Sequence, residues 1–182
     1  MTVRTAYSYP AILEPDENGR LVVHFPDLPE ALTDGADEAE ALREAADCLS
    51  EALASRIIDG EEIPPPALLT SAQHLISPDP TIALKAALHM QLHQQDMTIA
   101  DLADRLGVAD WHQAARLIDP RGSSKLTSLA AALDALGCRI IISVESSAEP
   151  VSSADDERRG DGLGPLDAEQ AESLPLMGVA PR

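Results

Sequence analysis

Asn18-Gly19 stands between two apolar runs, and that placement constrains the fold of this chain more than any other feature. Residues 5–14 alternate and are rich in β-formers, and Leu21–Phe25 reads Leu-Val-Val-His-Phe. Two short runs parted by Asn-Gly predict an antiparallel hairpin with a type I′ turn. Pro26-Asp27-Leu28-Pro29 breaks the second run, and Ala31–Thr33 predicts a short third strand. Asp37 with Glu40 three residues on is a capping-box signature. Leu42, Ala46, Leu49, Leu53 and Ile57 then recur at helical spacing, and Gly60 ends the helix. Ile63-Pro64-Pro65-Pro66 is extended, because three prolines cannot continue a helix. Gln73–Ile76 predicts a fourth strand. The order β-β-β-α-β makes a small sheet with one helix on one face.

The second half has a different period. Ser77-Pro78-Asp79-Pro80 reads as a linker, with Asp79 and Pro80 a good cap and first residue for a helix running to about Gln95. Thr98 caps the next helix, with Ile99, Leu102, Ala103 and Leu106 inward. Gly107-Val108 makes a turn, a third helix covers about Asp110–Ile118, and Pro120-Arg121-Gly122 breaks it. Lys125–Leu136 is a fourth helix closed by Gly137, and Arg139–Val144 predicts a strand. Ala103 followed four residues later by Gly107 suits a helix-turn-helix: the small residue lets the helices cross closely, and glycine supplies the positive φ of the turn. If the turn is one residue longer than usual, Trp111, Ala114, Leu117 and Ile118 face inward. From Ser146 onward the chain is too polar to order itself, which predicts a disordered acidic tail. The expected class is α+β, with domains at 1–76 and 81–145, a linker at 77–80 and a tail at 146–182.

Charge divides the halves. The chain of 182 residues carries a net charge of −18. Residues 1–76 hold 4 basic and 15 acidic residues, a net of −11, whereas 77–145 hold 6 and 8. This balance argues against non-specific nucleic-acid binding by the whole chain and favours a basic partner for the first half. Between Arg105 and Lys125 the sign reverses, with four basic and two acidic residues. His112, Gln113 and Arg116 are placed to reach base edges, and Arg121, Ser123, Ser124 and Lys125 suit phosphates, as does Thr98 at its helix start. So few cations imply weak binding by one subunit, so a dimer is expected. Arg139, Ile140, Ile141, Ile142 and Val144 form the strand expected to pair with its copy, as a homodimer or tetramer.

Other groupings resemble chemistry without completing it. His89 and His93 have the i, i+4 spacing of metal ligands, but only Asp96 is near in sequence, so both are read as solvated surface residues. Glu14, Asp16, Asp27 and Asp34 could suggest a two-metal nuclease centre, yet they fall at strand ends and turns, where Asp is usual. Cys48 and Cys138 read as buried reduced thiols of a cytoplasmic protein, and no apolar run approaches a membrane span. No metal, cofactor or catalytic residue is expected.

The sequence Val23-His24-Phe25-Pro26-Asp27-Leu28-Pro29, the Thr33-Asp34-Gly35 turn, the Glu40-Ala41-Leu42 helix and Ile63-Pro64-Pro65-Pro66 resemble the HicB antitoxins of bacterial toxin–antitoxin systems. Leu117-Ile118-Asp119-Pro120-Arg121 and Lys125-Leu126-Thr127 are similar to the helix-turn-helix subset of that family. The chain departs at Glu30-Ala31, where relatives often carry Gly-Cys. The resemblance implies a partial RNase H-like first domain that occludes a HicA-like toxin, a small basic mRNA-cleaving ribonuclease. It implies a second, lambda-repressor-like domain that binds operator DNA and represses the operon. On that reading Glu14, Asp16, Asp27, Glu44 and Glu51 are the expected toxin contacts. The alternative is a stand-alone transcriptional regulator with a ligand- or protein-sensing first domain.

Overall fold

The alternating run that opens the chain becomes β1 (Tyr9–Pro15), and Leu21–Phe25 becomes β2. This computed structural model describes residues 7–70 and 73–142. β3 (Leu28–Gly35), α1 (Glu38–Asp59) and β4 (His74–Ile76) complete a four-stranded antiparallel sheet in the order β3-β2-β1-β4, with α1 packed against it. Four further helices follow: α2 (Pro80–Gln94), α3 (Ile99–Leu106), α4 (Trp111–Ile118) and α5 (Leu126–Ala135).

The first hairpin forms where expected but with a different turn. Gly19 alone takes a positive φ, +79°, and Asn18 does not, so the turn is not type I′. Asp16 is the reason. Its carboxylate accepts the Asn18 and Arg20 backbone N–H groups, each at 2.8 Å, and its own N–H donates to the Arg20 carbonyl. That closes a three-residue loop in which only the last position needs the left-handed region. The second hairpin is tighter than the prolines suggested. Only Pro26 and Asp27 leave the strands, β3 resumes at Leu28, and the register shifts between His24 and Phe25, with Pro29, Glu30 and Ala31 standing between their partners Leu32 and Leu28. Pro29 is tolerated because β3 is an edge strand.

Tyr9, Ala11, Val23, Phe25, Leu28 and Ala31 are all buried, as are Ala41, Ala45, Leu49, Ala52, Leu53 and Ile57 of α1. The helix therefore turns its alanines to the sheet, and Leu42 and Ala46, expected inward, stay half-buried. Alanine lets the helix lie close, and Gly35 carries this furthest. A Cβ there would sit 2.6 Å from the Ala41 Cα, so only glycine fits. Asp37 caps α1 by accepting from the Glu40 N–H at 2.8 Å, while the Glu40 carboxylate reaches back to the Ala36 N–H, one residue earlier than a capping box requires. Gly60 closes α1 in the left-handed region.

The proline segment is bound to the sheet at three points. Ile63 is buried, the Tyr9 hydroxyl donates to the Pro64 carbonyl at 2.8 Å, and Asp27 accepts the Ala67 N–H at 2.9 Å. Burial raises the Tyr9 phenol far above its ordinary pKa, so it remains a donor. At Glu30, the point of departure from the family pattern, the carboxylate takes both Nε and Nη2 of Arg56, which also donates to the Glu62 carbonyl. One guanidinium so joins β3, the end of α1 and the proline segment.

α2 is buried at every position from Lys85 to Met90 and packs against α1, α4 and α5. The core is continuous from the sheet through α2 into the later helices. Asp79 caps α2 through the Thr81 and Ile82 N–H groups, and the Asp79 N–H itself bonds Ser50 of α1. Arg139–Ile142 carry no strand in the single chain, because they meet no neighbouring edge; Ile141 and Ile142 are more than 60% exposed. Val144 and the expected tail at 146–182 lie outside the described residues.

Candidate functional site

α3, its turn and α4 are built by local chemistry. Thr98 and Asp101 form a full capping box: the Thr98 hydroxyl accepts from the Asp101 N–H at 3.2 Å, and the Asp101 carboxylate accepts from the Thr98 N–H at 2.7 Å. Thr98 therefore serves its own helix, although its exposed position is the one expected for a DNA contact. Its hydrogen bonds hold the Asp101 carboxyl below the usual carboxylate range. Gly107 ends α3 at φ +66°. Asp110 caps α4 through the His112 N–H at 2.9 Å, which sets α4 one residue later than the short turn would.

That shift settles which side of α4 faces out. Ala114 and Ile118 are buried and Leu117 is half-buried, while His112, Gln113 and Arg116 are exposed. The expectation that Trp111 packs inward is wrong. It is 51% exposed at the first position of the helix, and its ring stacks on His112 with centroids 4.0 Å apart. The inward arc is filled by Ala114 and Ile118, which leaves no inner position for an indole at the helix start. An open, shallow cleft lined by His112, Ala115, Arg116 and Asp119 runs along the outer face.

The loop from α4 to α5 holds the remaining candidates. Arg121, Ser123 and Lys125 are exposed. Ser124 is half-buried, its hydroxyl 3.4 Å from the Arg116 carbonyl. Arg116 leans back along its helix, with Nε 3.3 Å from the His112 carbonyl. Arg105 belongs elsewhere: its guanidinium is 3.2 Å from the Ala135 carbonyl and 3.4 Å from Gln95 Oε1. The other three of the four expected cations, Arg116, Arg121 and Lys125, are exposed on α4 and the loop that follows it.

Sequence reasoning missed Lys85, which is fully buried on α2. Its ammonium donates to the Asp119 carbonyl at 2.6 Å and to the Gly122 carbonyl. The bonded carbonyls are those of the α4–α5 loop, so a buried cation fixes the backbone that carries Arg121, Ser123 and Lys125. Desolvation lowers its pKa, partly offset by Asp119 and Asp79. The only signal in the sequence was one charge inside the apolar run Ile82–Leu88.

The five expected toxin contacts do not form one patch. Asp16 and Asp27 are occupied by backbone N–H groups, and hydrogen bonds to Arg20 and Asn18 keep the Asp16 carboxyl below its ordinary pKa. Glu14 follows the inward Leu13, so it lies on the sheet face away from α1, in register with Val22 and Asp34. Glu44 and Glu51, two turns apart on α1, are half-buried and exposed. Leu32 and Leu75, 63% and 54% exposed, also lie on the sheet surface.

The histidine pair is not the solvated pair expected. His89 is 6% exposed, and its Nε2 is 2.7 Å from the Glu61 carbonyl; His93 stays exposed with its ring 4.3 Å away. Among the described residues no group of three or more His, Cys, Asp or Glu could hold a metal. Cys48 and Cys138 are free and half-buried rather than fully buried. No described helix is long and apolar enough to cross a membrane.

Comparison with known proteins identifies the class to which this arrangement belongs. The family described as "HicB_like antitoxin of bacterial toxin-antitoxin system" matches residues 8–87, the sheet, α1 and the first turns of α2. Antitoxin HicB 1 of Photorhabdus laumondii is 34% identical over 137 residues, covering 75% of this chain and 86% of that protein. Antitoxin HicB of Escherichia coli K12 is 36% identical over 129 residues, or 71% and 93% of the two chains. Antitoxin HicB of Pseudomonas fluorescens Pf0-1 is 32% identical over 133 residues, or 72% and 90%. The chain is an antitoxin of a bacterial toxin–antitoxin system and belongs to the HicB family.

Proposed function

We propose that this antitoxin neutralises a small, basic, mRNA-cleaving toxin of the HicA type by direct binding, and that it represses its own operon through α3 and α4. The observation that carries the second part is the outer face of α4. In a chain of net charge −18 this face combines exposed His112, Gln113 and Arg116 with Arg121 and Lys125 on the next loop. Arg and Gln are the side chains suited to guanine and adenine edges. On this reading the sheet with α1 is the partial RNase H-like, toxin-binding module and α2–α5 the lambda-repressor-like, DNA-binding one. The first module carries a net of −11, which steers a basic partner towards it. Glu14, Glu44 and Glu51 are its proposed contacts, since Asp16 and Asp27 already hold backbone. Exposed Ile141 and Ile142 are proposed to meet their copies in a dimer, which doubles the phosphate contacts.

A promoter-reporter fusion tests repression. The chain is expected to lower expression from the region upstream of its own gene, and Arg116→Ala with Lys125→Ala is expected to restore it. Unchanged expression with the unaltered chain removes the repressor reading. Charge reversal at Glu44 and Glu51 that leaves toxin affinity unchanged removes those two as contacts.

A further inference from the structure

Trp111 is the chain's single tryptophan, and the fold leaves it half in water. The other large aromatics are used differently: Tyr9 and Phe25 are fully buried and Tyr7 is half-buried. An indole costs more to leave exposed than any other side chain, and indoles are enriched where a partner completes the burial. Trp111 is also held in place. It stacks on His112, centroids 4.0 Å apart and planes 30° apart, and both rings sit on a helix start fixed by Asp110. A pre-positioned ring loses less freedom on binding than a mobile one.

We propose that the Trp111–His112 stack is a DNA contact of the antitoxin, packing its apolar ring surface against a thymine methyl edge in the major groove. The inference rests on the DNA-binding reading and adds to it a sequence-discriminating residue. Thymine is the one base that presents a methyl group there, so an apolar ring beside it favours A·T pairs. Charge decides between DNA and a second copy of the chain as occupant. Arg116 lies one turn on from His112, the two lining one open cleft, and Arg121 and Lys125 follow on the next loop. A two-fold contact through this face brings like cations together, whereas a phosphate backbone neutralises them.

Because the chain has one tryptophan, its emission reports this position alone. The full chain is titrated with a duplex from immediately upstream of its own gene and with a scrambled duplex of equal length. Fluorescence anisotropy of the labelled duplex gives the affinity independently of the tryptophan. The expected result is a change in Trp111 emission whose midpoint matches the anisotropy curve. Trp111→Ala is expected to weaken binding of the upstream duplex by about fivefold or more through lost apolar burial, and binding of the scrambled duplex by less than about twofold. Trp111→Phe, which keeps an apolar ring, is expected to lie between the two, and the exposed site tolerates either change without loss of far-UV circular dichroism. Tight anisotropy binding with unchanged emission and unchanged affinity of Trp111→Ala overturns the inference and leaves the repressor reading standing. An emission shift that follows protein concentration without DNA assigns the ring to a contact between copies and also overturns it. Absence of binding to the upstream duplex by anisotropy removes the repressor reading and this inference together.

Discussion

The two halves of this antitoxin place their charged side chains in opposite ways. In the sheet half many carboxylates are already engaged: Asp16 closes the first hairpin, Asp27 holds the proline segment, Asp37 caps α1, and Asp34 and Glu30 of β3 pair with Arg20 and Arg56. The exposed acidic residues left over include Glu14, Glu17, Glu61 and Glu62 as well as those on α1. In the helical half it is the cations that are divided. Lys85 is buried against backbone carbonyls, Arg105 is exposed but lies beside the Ala135 carbonyl, and Arg116, Arg121 and Lys125 are exposed on α4 and the loop after it. Net charge alone therefore describes neither surface. What a partner meets is the charge remaining after the fold has taken its share, and that remainder differs in sign between α1 and α4.

The comparison breaks most severely in the sheet half. Phe25→Ala removes the largest side chain between β2 and α1 and is expected to cost about 3–5 kcal/mol of stability, read as a lower denaturant midpoint. Lys85→Ala in the helical half is expected to cost about 2–4 kcal/mol, since it leaves a cavity and two unsatisfied carbonyls. Lys85→Met separates these causes: it fills the space without the hydrogen bonds, and protection of the α4–α5 loop amides from exchange is expected to fall with it. If Lys85→Met matches the parent in both stability and exchange, the clamp is not what fixes that loop. Gly35→Ala is expected to cost about 1–3 kcal/mol through its clash with Ala41.

The smallest effect lies where the halves meet. Burial lowers the His89 pKa below its ordinary 6.5, and the charge of His93 adds to the shift. The folded state then binds fewer protons at this site than the unfolded chain, so stability rises with pH across the window below 6.5. The contribution of His89 is present above 6.5 and is lost as pH falls towards the folded pKa. Chemical denaturation at pH 7.5 and 5.5 checks the sign, and His89→Gln is expected to flatten that part of the profile.

Much of the fold was legible because local signals agreed with it. Asn18-Gly19, Asp37 and Gly60, Asp79-Pro80 and the Thr98-to-Gly107 stretch each marked an element that forms. The first turn was misread because Asp16 bonds the backbone of its own loop; the other misreadings come from tertiary context. The α1 stripe rotated because close packing on the sheet favours Ala41, Ala45 and Ala52 over Leu42. α2 is buried all round from Lys85 to Met90, so no periodicity could show that His89 and Lys85 lie inside. Trp111 came out because Ala114 and Ile118 sufficed for the inner face of α4. The candidate DNA-contacting face followed from residue type and spacing. The five toxin candidates were harder to place, since acidity does not say which carboxylates are already bonded to backbone.

The division of labour between the halves is tested most directly by growth of cells expressing the short open reading frame beside this gene, alone, with this chain, and with its Arg116→Ala/Lys125→Ala variant. Arrest relieved equally by both chains is the predicted result, because neutralisation is assigned to the sheet half and α1. Arrest that neither chain relieves would contradict the account, and relief by the unaltered chain alone would place neutralisation on the face assigned here to DNA.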